Sequence, residues 1–294
     1  MAAALHWKEM GRQEQKAREA GKKKAAKRRG SAKRRNAVNL RHARGPFDIV
    51  GDVHGCLDEL LGLLRALGYT VERQGEEFKV TPPPGRTLAF VGDLVDRGPN
   101  APAVLRLAMA MTSAGTALCL AGNRDVELVR ALRGRASKVT RGMARTLDQL
   151  AAEPESFRAE VVRFLRSRPS HVVLDERRLV LAHAGLKEAM QGRTSAAARA
   201  FALHGDASRD GADPAARKSW AEEYRGKALV VHGHTPVSEP LWLNNTANID
   251  TGCVYGGHLT ALRYPEHETV SIPALAIHYS PRRPFTPNKA LKRK

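Results

Sequence analysis

Short apolar runs that end in a polar, glycine-containing motif recur along this chain and constrain its fold most strongly. Each run predicts a β-strand, and each motif carries a residue that suits a metal ion or a phosphate. The six motifs are Asp52-Val53-His54-Gly55, Gly92-Asp93-Leu94-Val95-Asp96-Arg97-Gly98, Gly122-Asn123-Arg124-Asp125, His183-Ala184-Gly185, His232-Gly233-His234-Thr235 and Asp250-Thr251-Gly252. Because α/β proteins place ligand-binding residues just beyond strand ends, this order predicts an α/β fold with one shared site.

Stretches with helical spacing of apolar residues alternate with these strands, as in layered α/β proteins. The clearest is 57–67, where apolar residues recur at i, i+3, i+4 and i+7. The other predicted elements are helices at 101–111, 125–133, 142–151 and 155–167, a hairpin through 69–80, a loop at 205–217 and a β-rich segment at 247–272. The helices between 125 and 167 are expected to form an insertion that caps one side of the site.

Taken in order, the motifs resemble those of the calcineurin-like metallophosphoesterases, whose pattern is D-x-H, G-D-x-x-D-R-G, G-N-H-E/D, H-A-G and G-H-T. The resemblance covers roughly residues 46–272, and five ordered motifs are far more specific than one. Segments 180–188, 242–246 and 249–257 are most similar to the phosphatase module of bacterial polynucleotide kinase-phosphatases and to stand-alone diadenosine-tetraphosphatase-type enzymes. The resemblance implies a four-layer α/β/β/α sandwich.

The resemblance also implies a site for two divalent metal ions. The first ion would be bound by Asp52, His54 and Asp93, and the second by Asp93, Asn123, His183 and His234. Asp93 would bridge two ions about 3.5–4 Å apart, and a water between them would become the nucleophile. Mixed oxygen and nitrogen ligands favour Mn, Fe, Zn or Ni, and likeness to the family favours Mn²⁺.

Two arginines and several histidines are interpreted in the same way. Arg97 is expected to bind the transferring phosphoryl group with its planar guanidinium. Arg225 resembles a second phosphate-binding arginine of the serine/threonine phosphatases, although a surface arginine at a helix end is an equally good interpretation. His232 is expected to be structural. Surface or packing positions are expected for the histidines outside the motifs, which are His171, His204, His258, His267 and His278.

Arg124 departs from the family pattern, which has histidine after the asparagine, here Asn123, itself a predicted substrate-binding residue. In the family, that histidine pairs with the aspartate at the position of Asp96 and is understood to protonate the leaving oxygen. Arginine cannot supply this proton, although it can pair with Asp96 and neutralise a developing negative charge. Loss of a general acid typically costs about 10²–10⁴ in rate. Arg124 therefore favours anhydride or aryl phosphate substrates, whereas the family likeness also points to polynucleotide ends. The expected catalytic set is Asp96, Arg97, Arg124 and Arg225.

Positive charge is concentrated at the two ends of the chain. Of the net charge of +19, +12 falls in residues 1–45 and +6 in residues 280–294, which leaves +1 for 46–279. We therefore expect a catalytic domain at 46–279 between two basic tails, the first of them disordered because it has little to bury. The tails could contact RNA, DNA or another polyanion, or serve solubility alone.

Cysteine usage and hydropathy indicate the cellular compartment in which the protein is expected. Cys56, Cys119 and Cys253 cannot all pair, and they fall at predicted buried positions, which indicates a reducing environment. No apolar run reaches membrane length, and the basic N-terminus is not followed by the apolar segment of a signal peptide. We expect a cytoplasmic protein without membrane contact.

The leading hypothesis is a binuclear metal-dependent phosphohydrolase of phosphoester or phosphoanhydride bonds. Its substrate would be a nucleotide, such as a dinucleoside tetraphosphate, or a polynucleotide end. One alternative is a protein serine/threonine phosphatase, because the same motifs serve that activity. Another is a weakened phosphatase that acts as an RNA-binding module through its basic tails, which Arg124 and the tail charge motivate.

Overall fold

Two five-stranded mixed sheets and one hairpin form the β-structure of this computed structural model, which describes residues 38–206 and 219–280. The strands are β1 (Phe47–Val50), β2 (Thr70–Gln74), β3 (Glu77–Thr81), β4 (Thr87–Phe90), β5 (Ala117–Cys119), β6 (His171–Leu174), β7 (Leu179–Ala182), β8 (Leu229–His232), β9 (Leu241–Leu243), β10 (Thr246–Asn248), β11 (His258–Tyr264) and β12 (Glu268–Pro273). The helices are α1 (Leu57–Ala66), α2 (Ala101–Ala114), α3 (Asn123–Leu132), α4 (Arg141–Ala151), α5 (Glu155–Arg166), α6 (Ala196–His204) and α7 (Trp220–Glu223).

Each sheet contains three parallel strands, with antiparallel neighbours on one side in the first sheet and on both sides in the second. The first sheet has the order β12-β11-β1-β4-β5, in which β1, β4 and β5 run parallel. The second has the order β6-β7-β8-β10-β9, in which β7, β8 and β10 run parallel. In the first sheet, Phe47 of β1 lies opposite Thr87 of β4 and Tyr264 of β11. The carboxyl ends of parallel strands meet at one edge of a sheet, so this topology gathers the motifs that follow them.

The two sheets pack face to face because alternate strand residues point into a common apolar core. Ile49 of β1, Leu181 of β7 and Val231 of β8 all belong to it. Helices α1 and α2 cover the outer face of the first sheet, and α6 and α7 cover the outer face of the second. This arrangement is the four-layer α/β/β/α sandwich that the resemblance implied.

Most predicted elements are present, within a few residues of their expected ends. Helices α3, α4 and α5 form the expected insertion and contribute Leu128, Leu150 and Phe157 to the core outside the first sheet. Strands β6 and β9 and helix α6 were not predicted. A local signal existed for α6, since Ser195 Oγ accepts the Ala198 N–H as a typical N-cap. The expected loop at 205–217 lies mostly outside the described residues.

The described fold begins before the expected boundary at residue 46. Leu40 N–H donates to Val173 O at 2.9 Å, and Val173 N–H donates to Val38 O at 2.8 Å. The segment 38–44 is therefore hydrogen-bonded to the edge of the second sheet. Predictions about residues 1–37 and 281–294 lie outside the described residues. Within the described part of the chain, no helix is both long and apolar enough to cross a membrane.

Candidate active site

The strand order brings the polar motifs of both sheets together. Asp52 and His54 follow β1, Asp93 follows β4, and Asn123 opens α3 just after β5. From the second sheet, His183 follows β7 and His234 follows β8. All six predicted ligands thus lie beyond the carboxyl ends of strands, and five of them fall into two groups whose ligand atoms lie within 4.8 Å of one another.

The first group, which we call the His54 cluster, consists of Asp52, His54 and Asp93. His54 Nδ1–H donates to Val95 O at 2.8 Å, so the lone pair of this imidazole is on Nε2. That nitrogen lies 4.0 Å from Asp52 Oδ2 and 3.8 Å from Asp93 Oδ2. A backbone carbonyl that fixes the tautomer of a histidine is a typical support of a metal ligand.

The second group, which we call the His183 cluster, consists of Asp93, Asn123, His183 and His234. His183 Nε2 lies 2.9 Å from Asn123 Oδ1, 3.1 Å from His234 Nδ1 and 3.4 Å from Asp93 Oδ1. Two ligands bound at ~2.1 Å to one ion lie about 3.0–3.4 Å apart at tetrahedral or octahedral angles. The spacing of this cluster therefore fits a single divalent cation. Asp93 faces both clusters, with Oδ2 toward His54 and Oδ1 toward His183.

Burial dominates the electrostatics of both clusters. It raises the pKa of Asp52 well above its usual range, helped by the neighbouring Asp250 and Asp93, and it also raises the pKa of Asp93. It lowers the pKa of His183 and of His234 to about 3. The imidazoles are therefore neutral and have lone pairs to offer, while the carboxylates lack sufficient counter-charge. A bound cation would accept the imidazole lone pairs and supply the counter-charge that the carboxylates lack.

Buried polar atoms without a hydrogen-bond partner also gather here. Among residues 38–206 and 219–280 there are four such side-chain atoms, and three are in this region: both carboxylate oxygens of Asp96 and Nδ1 of His183. The two Asp96 oxygens are not isolated electrostatically, since Oδ2 lies 3.4 Å from Nε of both Arg97 and Arg124. Burial nevertheless raises the pKa of Asp96 to about 6.

Arg97 is held between the His54 cluster and two tyrosines. Its Nη1 donates to His54 Nε2 at 3.0 Å. Its guanidinium carbon lies 5.4 Å from the ring centroid of Tyr255 and 5.9 Å from that of Tyr279. Arg145 Nη1 donates to the carbonyls of Arg97 and His278, at 3.0 and 3.1 Å. Sequence reasoning missed this support, because Tyr279 and Arg145 lie outside any recognised motif and no role was assigned to Tyr255 within segment 249–257.

The backbone and the side chain of Arg124 contact different acidic residues. Its N–H donates to Asp93 Oδ1 at 2.9 Å. Its guanidinium lies beside Asp96 and donates to Glu127 Oε2 at 2.8 Å. The chain therefore retains an ion pair at the position where the family pattern has a histidine–aspartate pair.

The remaining predicted residues, Arg225 and His232, are hydrogen-bonded to backbone atoms of their own segments. Arg225 follows α7, and its Nη1 donates to Glu222 O at 2.7 Å and Tyr224 O at 2.8 Å, both in its own turn. His232 is buried, has Nδ1 within 3.2 Å of Gly233 O, and lies 5.2 Å from the Trp220 ring. These contacts are those of packing residues in their present geometry.

The backbone around the clusters adopts conformations that side chains rarely favour. Positive φ angles occur at five non-glycine residues of the motifs: His54 (48°), Asp93 (48°), Asp96 (83°), Arg97 (74°) and His234 (74°). Such residues cost on the order of 1–3 kcal/mol each and concentrate at functional sites. Close approach explains two motif glycines, since a Cβ on Gly122 would lie 2.1 Å from Asp93 N and one on Gly233 would lie 2.1 Å from Asp52 Oδ1.

Comparison with known proteins identifies relatives along most of the chain. A sequence model of the calcineurin-like phosphoesterases matches residues 45–259. A curated protein from Anoxybacillus flavithermus, named bis(5'-nucleosyl)-tetraphosphatase PrpE (asymmetrical), is 42% identical over 81% of this chain and 99% of its own length. A protein of the same name from Geobacillus thermodenitrificans is also 42% identical, over 79% of this chain and 95% of its own length.

Solved structures show the same fold. One is the crystal structure of a protein provisionally named a diadenosine tetraphosphatase, with a TM-score of 0.56, 26% identity and coverage of 81% of this chain and 98% of that chain. A protein serine/threonine phosphatase from Saccharomyces cerevisiae has a TM-score of 0.51 at 14% identity, over 86% of this chain and 88% of that chain, and shows the fold alone. Given the family match and the 42% identity of full-length relatives, the chain belongs to the calcineurin-like phosphoesterase family and is a phosphohydrolase.

Proposed function

We propose that this protein is a two-metal hydrolase that cleaves bis(5'-nucleosyl) tetraphosphates asymmetrically, with Mn²⁺ as its metal. The convergence of the His54 and His183 clusters on the two oxygens of Asp93 carries the proposal. The names of relatives that match over nearly their full length support the substrate class. The reaction consumes one water and releases a nucleoside triphosphate and a nucleoside monophosphate.

The two clusters would each hold one cation, with Asp93 shared between them. When bound, two divalent cations would lower the pKa of a water so that it ionises to a nucleophilic hydroxide near neutral pH, and would supply Lewis acidity for the phosphoryl oxygens. Asp52 and Asp93 contribute the negative charge of the His54 cluster. His183, His234 and the Asn123 amide contribute neutral donors, so the His183 cluster has fewer anionic ligands. The Val95 carbonyl keeps the His54 lone pair directed at its cluster.

Arg97 and Arg124 would bind the oxygens of the phosphoryl group under attack. Each has its guanidinium beside Asp96, so the Asp96 carboxylate holds both guanidinium groups in position. Arg97 is also packed against two tyrosine rings, which limits the conformations that it must give up on binding phosphate. Positioned guanidinium groups stabilise the charge that develops on phosphoryl oxygens in the transition state.

The leaving group explains why an arginine at position 124 is compatible with this reaction. A nucleoside polyphosphate leaves as a stabilised anion and needs little protonation, whereas an alkoxide needs a proton from a general acid. Arg124 cannot supply that proton at any working pH. Its pairing with Asp96 still places a positive charge next to the site. An anhydride is therefore the substrate whose cleavage depends least on the missing general acid.

The proposal is tested by comparing four substrates with the full-length, Mn-loaded protein. We expect diadenosine tetraphosphate to give equal amounts of adenosine triphosphate and monophosphate by chromatography. A phosphoserine peptide and a 3'-phosphorylated oligonucleotide should be turned over at least about 100-fold more slowly, as alkyl esters without general-acid help. p-Nitrophenyl phosphate serves as a control for a competent metal site. Faster turnover of the peptide would favour the protein phosphatase alternative, and no turnover of any substrate with Mn, Ni, Co, Fe or Zn would refute the proposal.

Polyanion binding by the basic tails is a separate proposal. Most of the charged residues of the tails 1–45 and 280–294 fall in 1–37 and 281–294, which lie outside the described residues. Because Leu40 is hydrogen-bonded to Val173, a clean deletion should stop at residue 37. We expect that deletion to weaken binding of single-stranded RNA and to flatten its salt dependence, while hydrolysis of diadenosine tetraphosphate is retained. Unchanged RNA affinity would remove the tail hypothesis.

We also propose a cytoplasmic location. Cys56, Cys119 and Cys253 are all buried and free, as is usual in a reducing compartment. Fractionation of cells that express the full chain with a C-terminal epitope would test this, and enrichment in the membrane or secreted fraction would contradict it.

A further inference from the structure

A cavity of about 370 Å³ lies next to the His183 cluster. His234 and its neighbours Gly233 and Thr235 form part of its wall, so the cavity lies directly beside the proposed metal site. Its volume falls within the ~300–1,000 Å³ of typical small-molecule sites. None of the sequence motifs predicted it, and His204, expected to be a surface or packing residue, also lines it.

Apolar side chains form much of the cavity wall. Trp220, Val237, Leu241 and Leu243 come from α7 and from the region of β9. These residues leave the outer face of the second sheet only partly covered near β9, where Leu241 and Leu243 are half-buried. A largely apolar wall with an indole ring, beside the proposed phosphate-binding centre, suits a group that has apolar faces and is attached to phosphate.

Trp220 is held rigidly in this wall. Its ring packs edge-on against Phe201 at 6.1 Å and Tyr224 at 6.0 Å. On another side Gly185 leaves it room, since a Cβ there would lie 1.9 Å from Trp220 Cζ2. The Trp220 indole is therefore already held in the orientation that it would have with a ligand bound. Such preorganisation lowers the entropic cost of binding.

Two polar side chains of the wall, Asn248 and Thr246, are already hydrogen-bonded within the protein. Asn248 Nδ2 donates to Thr235 O at 2.8 Å, and its Oδ1 accepts the Asp250 N–H at 3.1 Å. Thr246 Oγ1 donates to Leu243 O at 2.8 Å. These groups have little capacity left for reading the edge of a base. The part of the wall near Asn248 and Thr246 is therefore suited to contacting the faces of a base without choosing strongly between bases.

We propose that this cavity is the subsite for one nucleoside of the tetraphosphate substrate, and that it accepts adenine and guanine with similar affinity. The inference rests on the proposed function, because the phosphate chain must reach the metal centre for the base to enter here. One nucleoside accounts for the available volume, so the second nucleoside must lie elsewhere. An apolar side chain of a phosphopeptide is the competing occupant, and the experiment separates the two.

Leu241→Trp tests the subsite by filling the cavity from a half-buried strand position. Leu61→Trp is the matched control, because Leu61 is also half-buried but lies on α1, against the core outside the first sheet. The readout is the ratio of kcat/KM for diadenosine tetraphosphate to kcat/KM for inorganic tripolyphosphate, which has no nucleoside. We expect Leu241→Trp to lower this ratio at least tenfold and Leu61→Trp to leave it unchanged. An unchanged ratio for Leu241→Trp would overturn the subsite. Val237→Phe fills the same cavity and replaces Leu241→Trp if that variant does not fold.

Two further measurements separate failure of the subsite from failure of the proposed function. Calorimetry with adenosine monophosphate should show binding to wild type and to Leu61→Trp, and at least tenfold weaker binding to Leu241→Trp. If diadenosine tetraphosphate is not hydrolysed but this binding pattern holds, the proposed function fails and the cavity stands. Diguanosine and diadenosine tetraphosphate should have kcat/KM values within about threefold. A preference above thirtyfold, or competition by an apolar phosphopeptide but not by adenosine monophosphate, would overturn the assignment.

Discussion

The His54 and His183 clusters share Asp93 but differ in the spacing of their donor atoms and in the charge around them. In the His54 cluster the donor atoms stand 3.8–4.0 Å apart, and the guanidinium of Arg97 lies 3.0 Å from His54 Nε2. In the His183 cluster the donors approach to 2.9–3.4 Å, and two of the three neighbours of His183 Nε2 are neutral.

This difference links the spacing of the donor atoms in each cluster to the charge of those donors before a metal binds. Neutral donors can approach one another at little electrostatic cost, so the His183 cluster is compact. The His54 cluster has two carboxylates, each 3.8–4.0 Å from His54 Nε2, and an arginine beside that imidazole. We therefore expect the more anionic His54 cluster to bind its cation more tightly, and the His183 cluster to lose its cation first.

The largest effect should follow from changing the residue that the clusters share. Asp93→Asn keeps an oxygen that can accept the Arg124 N–H but removes the bridging charge. We expect turnover to fall on the order of 10³-fold or more, because both ions depend on this carboxylate. Elemental analysis should show less than one equivalent of metal per chain. Retention of two equivalents with near-normal turnover would end the idea of a shared ligand.

A one-sided variant would sharpen the comparison. His234→Asn removes a donor from the His183 cluster only, and we expect about one equivalent of Mn to remain and turnover to drop on the order of 100-fold. Titration of wild type with a chelator should release metal in two steps, and the first step should be missing in His234→Asn. If His54→Asn is the variant that lacks the first step, the order of affinities is the reverse of the one inferred here.

Arg124→His tests whether this position controls the choice of leaving group. The new imidazole would lie beside Asp96, where Arg124 Nε now lies at 3.4 Å, and could protonate an alkoxide. We expect turnover of an alkyl phosphate to rise about tenfold or more, and turnover of diadenosine tetraphosphate to change little. Metal content is the control, since residue 124 is not a proposed ligand. An equal change for both substrates would assign Arg124 to binding, and a general loss would place it in the phosphate clamp.

The smallest effect concerns the aromatic support of Arg97. Tyr279→Ala removes one of two rings that pack against the guanidinium, an interaction worth about 1 kcal/mol, or roughly fivefold, at such a site. We expect this loss to appear in KM and in the inhibition constant of inorganic phosphate, with kcat nearly unchanged. Tyr279→Phe keeps the ring and should behave as wild type. If both variants show the same defect, the hydroxyl or the backbone of this segment is responsible instead.

Two buried histidines of the second sheet show where sequence reasoning reaches its limit. His171 begins β6 and His183 follows β7, and both have the lowered pKa of a buried imidazole. His171 Nε2 accepts the Gly192 N–H at 3.1 Å and is a packing residue, as predicted. His183 instead directs Nε2 at Asn123 and His234. Only the motif that follows His183 distinguishes the two in the sequence, because burial affects both alike.

The sequence alone determined the family, the α/β layering and the identity of the residues that meet at the site. These properties depend on local patterns: apolar strands, glycines at strand ends and motifs in a definite order. The packing of the two sheets decided which oxygen of Asp93 faces which cluster, how Tyr279 reaches Arg97, and that a cavity opens beside His234. Such contacts join residues far apart in the chain, and their distances are set by how two separate layers fit together, which no window of sequence records.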